Sequence, residues 1–263
     1  MKERSLLAFT LLAQLAVGAF VTVGALGLWA GITEGEPTVL LFVDGALLWV
    51  ALAMALAMLA SAFHLGAPAS ALHAVRNLRT SWLSREVLLM VSFTVLVGLL
   101  SILRRSGAGS SALLAGVAAA AGTCGLGLVY AMARVYRIRT VPRWDTVRTT
   151  ASFFVTMLLL GPLAVAAGLA LGPDLTQAAA RAPLLAIALV AAGGFSAEIA
   201  LGGRGVLHTV RGAILFAGLV LCALSLLAAG RSGAFLAAAF AAALAAQGIG
   251  RYQFYVVGPG RPL

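Results

Sequence analysis

The chain has 263 residues, 62% of them hydrophobic and only 10% charged, with a mean hydropathy of +1.05 and a formal net charge of +10. That length would hold two soluble domains, but so apolar a composition excludes them. The basic excess does not point to nucleic acid either, because no soluble domain is available to present a basic face; arginines beside membrane helices meet anionic headgroups or a docked protein.

Apolar runs of about 20 residues, enough to cross a bilayer, recur along the sequence. They fall at 6–30, 38–63, 86–103, 110–136, 147–171, 182–200, 207–229 and 233–256. They are continuous and rich in Ala and Leu, whereas strands of a membrane barrel are about 10 residues long and alternate in polarity. The expected fold is all-α: one polytopic integral membrane domain over 1–263, an eight-transmembrane-helix bundle.

The first run follows Met1-Lys2-Glu3-Arg4 and resembles a signal peptide. It continues to Trp29, well beyond a secretory hydrophobic region of about 7–15 residues, so a retained helix is expected. Gln14 lies inside it, roughly 13 Å along a helix from its start. The second run holds Asp44, read as a water-facing residue near a helix start, and ends at His64. Arg85 and Glu86 open the third run, the shortest. Arg134, Arg137, Arg139, Arg143 and Arg148 surround the loop after the fourth. Pro162 in the fifth frees the carbonyl of Leu158 and predicts a kink. Gly27/Gly31 and Gly168/Gly172 have the spacing of small-residue helix contacts. Glu198 closes the sixth run, and Gln247 and Arg251 lie late in the eighth. Cys124 and Cys222 fall in mid-span without clustered partners, which gives neither a disulfide framework nor a metal site.

An even number of helices puts both termini on one side. That side carries 14 Lys and Arg, the other 4, which places the termini in the cytoplasm. Gln14, His64, Glu86, Glu198, Gln247 and Arg251 all approach this basic face, as a polar pocket open to one membrane surface requires. Snorkelling explains Arg76, Arg79 and the arginines around 134–148. For His64, Glu86 and Glu198 a functional role is favoured, since ionisable groups at membrane depth cost roughly 2.5–3.5 kcal/mol each on insertion scales.

No nucleotide-binding or nucleophile–base motif is present, and the longest interhelical loop, 64–85, is too short for a catalytic domain. The three histidines, His64, His73 and His208, sit at span ends or in loops, which argues against haem held between helices. A quinol suits what remains: its tail partitions into lipid, and its head group needs acceptors for two protons. A histidine, which titrates near neutrality, and a carboxylate can both act as general base.

FTLLAQLAVGAF in the first span, SAFHLGAP and SWLSREV across the second and third, ARVYRIRTVPRW and SFFVTMLLLGPL around the fourth and fifth, and GRYQFYVVG at the end are collinear motifs. Together they resemble the DmsC-type family, the integral-membrane anchor subunits of dimethyl sulfoxide reductase and related molybdoenzymes. The resemblance implies a haem-free eight-helix subunit in the bacterial or archaeal cytoplasmic membrane. Its partners would be a molybdopterin catalytic subunit and a four-cluster iron–sulfur subunit, and its substrate menaquinol, whose electrons pass to the nearest cluster. His64 and Glu86 match the family's quinol-site His and Glu, and Glu198 matches another acidic position. Gln14 and Arg85, which adjoins Glu86, are inferred as further quinol contacts. Arg76, Arg79, Arg137, Arg139 and Arg143 are expected to grip the iron–sulfur subunit.

The connector between the sixth and seventh spans is shorter than the family pattern leads one to expect. The resemblance also points to periplasmic catalytic subunits beside the His64 face, whereas the charge count puts that face in the cytoplasm; we follow the charge rule. Three rival readings stand beside the quinol-oxidising anchor. One is an anchor of a related reductase with a different terminal acceptor, and another is a passive anchor that binds no quinone. The third, a secondary transporter, would show repeated halves and polar groups at the midplane, and here the halves of the sequence do not match.

Overall fold

The computed structural model describes residues 2–32, 37–64, 77–142, 144–171, 177–201, 206–227 and 232–257. Within them lie eight helices and no strand: α1 (Lys2–Ile32), α2 (Pro37–His64), α3 (Trp82–Ser106), α4 (Ser111–Tyr136), α5 (Val147–Leu171), α6 (Gln177–Ala200), α7 (Val206–Leu227) and α8 (Ser232–Tyr252). A single π-helical turn, Gln253–Val257, extends α8. Among the described residues seven of the helices are long and apolar enough to cross a membrane, and α6 contributes the apolar stretch Ala186–Ala200. The eight-helix reading therefore holds, and the third helix, expected from its run to be the shortest, reaches 25 residues.

Helix α3 is longer than its apolar run because local chemistry sets its ends. Ser81 is its N-cap, accepting a hydrogen bond from the Ser84 amide at 3.2 Å. At the other end Gly107 adopts φ 65° and donates its amide to the carbonyl of Arg104, a left-handed stop that glycine makes without strain. Ser110 caps α4 in the same way, accepting from the Leu113 amide at 3.3 Å.

Helices α1 to α4 pack each on the next, and α4 returns to α1; α5 to α8 repeat this order, with α8 returning to α5. The two four-helix rings join where α1 lies against α5, flanked by α4 on α5 and α8 on α1. The halves thus repeat in their packing, although their sequences do not show it.

The junction is made by glycine. A Cβ added at Gly161 would collide with the backbone of Gly18 and Ala19, and one at Gly18 with the backbone at Met157. The close helix contact is therefore Gly18 on Gly161, not the pairs expected from spacing. An added Cβ would meet nothing within 4 Å at Gly31, and only ordinary contacts with Val43 at Gly27 and Phe42 at Gly168. Helix α5 runs through Pro162 as one helix, with Phe153, Leu159, Leu160 and Leu163 fully buried. Phe20 of α1 meets Phe93 of α3 edge-on at 5.4 Å. The outer surface is apolar, with Trp49, Ile102, Phe216 and Leu227 widely exposed, as side chains facing lipid are.

Asp44 is partly exposed but not free. Its carboxylate pairs with Arg104, and its carbonyl accepts from Arg105 at 3.3 Å, closing the far ends of α2 and α3. The water-facing reading is corrected to that extent. Cys222 is buried and donates to the carbonyl of Ala188 at 3.5 Å; both cysteines are free thiols.

Candidate functional site

The polar side chains gather where α1, α3, α5 and α7 begin and α2, α4, α6 and α8 end. Glu86, in the second turn of α3, is only 4% exposed. It lines a cavity of about 200 Å³ with Leu6 and Phe9 of α1, Ser61 of α2, Met90 of α3 and Tyr136 of α4. Ser61, Glu86 and Tyr136 are the polar residues of an otherwise apolar lining. His64 is the last residue of α2, one turn beyond Ser61; its side chain, and all of Arg76 and Arg143, fall outside the described residues.

Arg85 does not line this cleft. Successive side chains on a helix point about 100° apart, and Arg85 turns outward as Glu86 turns inward. Its Nε and Nη2 donate to the carbonyls of Leu78 and Arg79, both at 2.8 Å, and its guanidinium lies 4.2 Å above the Trp82 ring. It fixes the 77–80 turn against the start of α3. Arg79 and Arg139 are exposed at this end of the bundle, while Arg137 pairs with Asp145 at 3.1 Å.

Gln14 is fully buried in a second polar group, between α1, α5 and α8. Its Oε1 accepts from Arg251 Nη2 at 3.0 Å, and the same nitrogen lies 3.5 Å from Thr156 Oγ1. Thr156 also meets Gln247 at 3.0 Å. The Arg251 guanidinium, 4% exposed, sits 3.8 Å over the Phe153 ring, a cation–π contact that partly replaces lost hydration. Gln14 Nε2, Gln247 Nε2 and Arg251 Nε have no hydrogen-bond partner among the described residues.

Glu198 belongs to the other ring of helices. It forms a buried ion pair with Arg211 of α7, whose Nε donates to the carbonyl of Ala246 at 3.1 Å. Gly250 leaves the space for that guanidinium: a Cβ there would stand 2.8 Å from Arg211 Nε. Glu86 and Glu198, grouped by their position in the sequence, therefore face different surroundings.

Between the Glu86 cleft and the Arg251 group lies an aromatic cluster of Tyr136, Trp144, Phe153, Phe254 and Tyr255. Tyr136 stands 5.1 Å from Tyr255 and 5.8 Å from Phe153, centroid to centroid, and Trp144 stacks on Phe254 at 5.1 Å. Tyr255 donates from its hydroxyl to Thr10 Oγ1 at 3.4 Å. Sequence reasoning did not single out Tyr136, Thr156 or Arg211. The i, i+4 spacing of Gln247 and Arg251 was the available signal that α8 presents one polar stripe inward. Among the described residues no three His, Cys, Asp or Glu side chains come together as metal ligands.

Fold and site define a polytopic helical membrane protein with its buried ionisable groups collected at one end. The family model for the DMSO reductase anchor subunit (DmsC) matches residues 1–211, and the chain belongs to that family. It is 34% identical over 166 residues to YnfH, an anaerobic dimethyl sulfoxide reductase subunit of Escherichia coli (strain K12), covering 63% of this protein and 57% of that one. It is 33% identical over 167 residues to the C subunit of anaerobic dimethyl sulfoxide reductase from the same organism, covering 61% and 55%. The C subunit of the Haemophilus influenzae enzyme is 30% identical over 164 residues, covering 60% and 56%. The match thus spans little more than half the length of these relatives. No solved structure matches it.

Proposed function

We propose that this protein is the membrane anchor subunit of a DMSO reductase-type molybdoenzyme, and that it binds and oxidises menaquinol at the Glu86 cleft. The observation that carries the reading is Glu86 itself, a carboxylate buried at the polar end of a membrane bundle beside an apolar cavity, with α2 ending at His64 nearby. The apolar walls suit a quinol ring and the first units of its tail. Glu86 accepts the proton of one hydroxyl and His64 that of the other. The two electrons leave for an iron–sulfur cluster of the partner subunit, so quinol becomes quinone with two protons and two electrons accounted for. Molybdopterin chemistry belongs to the catalytic subunit, which also fixes the terminal acceptor. The exposed Arg79 and Arg139 mark the face on which the iron–sulfur subunit docks. The bundle sits in the cytoplasmic membrane of a bacterium or archaeon.

The test is quinol-driven acceptor reduction by the whole complex in membranes carrying Glu86→Gln or His64→Ala. Loss of a general base predicts a fall of about 10²-fold or more, with normal amounts of partner subunits retained on the membrane. Wild-type quinol turnover in both variants refutes the assignment. Electron flow untouched by a quinone-analogue titration would instead indicate a passive anchor.

A further inference from the structure

Helix α8 lies beyond the stretch that the family model matches, residues 1–211, yet its last turns reach the wall of the Glu86 cleft. Tyr136 is the link. It lines the cavity together with Glu86, and on its other side it meets the ring of Tyr255 at 5.1 Å and that of Phe254 at 5.7 Å. Tyr255 is tied back to α1 through Thr10. Arg251 holds the third side, its guanidinium on the face of Phe153, which in turn packs on Tyr136 at 5.8 Å. Gln14 and Thr156 keep that guanidinium in place.

We propose that α8 and its terminal turn complete the quinol cleft, with Tyr255 and Arg251 as positioning residues that hold Tyr136, whose hydroxyl is a further hydrogen-bonding group, beside Glu86 and His64, offered to the quinol ring. The inference rests on the quinol reading of the Glu86 site. Its chemical basis is the change of the ligand during turnover. A quinol hydroxyl donates, but the quinone carbonyl formed from it only accepts. A phenol can accept from the first and donate to the second without changing its own charge. A carboxylate can do so only by taking up the proton. Tyr136 is therefore suited to hold the ring while Glu86 carries the proton. A ring packed on four aromatic neighbours loses little further freedom when ligand binds, which favours affinity.

The experiment measures KM and kcat with a reduced water-soluble naphthoquinol as donor, using the whole complex in membranes. Tyr136→Phe and Tyr255→Phe each remove one oxygen and keep the ring, so the aromatic cluster stays filled. One lost neutral hydrogen bond predicts a KM about fivefold higher for Tyr136→Phe with kcat nearly unchanged, and a smaller rise of the same kind for Tyr255→Phe. Arg251→Gln raises KM, and Arg251→Lys, which keeps the charge, restores part of it. Binding of a quinone-site inhibitor to each complex weakens in the same order. An unchanged KM in Tyr136→Phe, while Glu86→Gln has lost turnover, overturns this inference and leaves the quinol reading standing. Loss of kcat alone, in proportion to partner subunit lost from the membrane, reduces these residues to structural ones and also overturns it. Full turnover in Glu86→Gln removes the quinol reading beneath it.

Discussion

Gly161→Ala should weaken the whole bundle through one methyl group. Helices α1 and α5 touch backbone to backbone at Gly18 and Gly161, so the new Cβ meets atoms that no rotamer change can move. Overpacking costs about 1–3 kcal/mol where side chains can yield, and the upper end applies where only backbone is available. Replacing a helical glycine by alanine returns about 0.5–1 kcal/mol of backbone entropy. The net expectation is a loss of about 2 kcal/mol, or on the order of 5 °C in Tm for a protein of this size. Gly98→Ala and Gly116→Ala supply the control, because a Cβ at either position meets nothing within 4 Å; these variants should gain the entropy term alone. The assay is thermal unfolding of the purified complex in mild detergent, followed by tryptophan fluorescence. The same variant should lower quinol turnover, since the crossing lies one turn from Gln14 and little more than one from Thr156, and spreading α1 from α5 pulls both away from Arg251. Gly161→Ala with the stability of Gly98→Ala would refute the close crossing.

The buried pair of Glu198 and Arg211 should behave asymmetrically. Removing either partner alone, as Glu198→Gln or Arg211→Met, leaves a lone charge and lowers stability by about 3–5 kcal/mol, while the double variant recovers most of the loss in the same unfolding assay. A double variant destabilised by the sum of the two single losses would show that the two do not act as a pair. At the far end of the bundle Asp44→Asn should cost no more than about 1 kcal/mol, because the pair with Arg104 is partly exposed, with side chains 27% and 26% accessible. Its quinol KM should stay at the wild-type value; a raised KM would connect the far end to the cleft.

Much of the architecture was legible because a bilayer asks only for length and apolarity, and each of the eight runs meets those terms. The ends were less so. The third run stopped at charged residues, whereas α3 extends through Arg85 to its Ser81 cap and through Arg104 and Arg105 to Gly107; caps, not hydropathy, set its limits. The sorting of Gln14, Glu86, Glu198, Gln247 and Arg251 toward one end was also readable, and all five are buried. Their partners were not. Gln14 meets Arg251 across 237 positions, and no local pattern carries a contact at that separation. Arg85 and Glu86 are adjacent in sequence but point about 100° apart, one out of the cleft and one into it, which only the rotation of α3 decides. The packing repeat escaped notice because lipid-facing and buried positions both accept Ala and Leu, so two similar bundles need share few residues.

The bond between Gln14 and Arg251 has a consequence for the order in which the protein matures. Gln14 enters the membrane with the first helix, and its partner Arg251 arrives with the eighth. Until then the growing polypeptide holds a polar amide in its centre that only water or a chaperoning insertase can satisfy. The eighth helix therefore acts as a latch: it delivers the charge that ties α1 to α5 and seats the aromatic turn in the same movement.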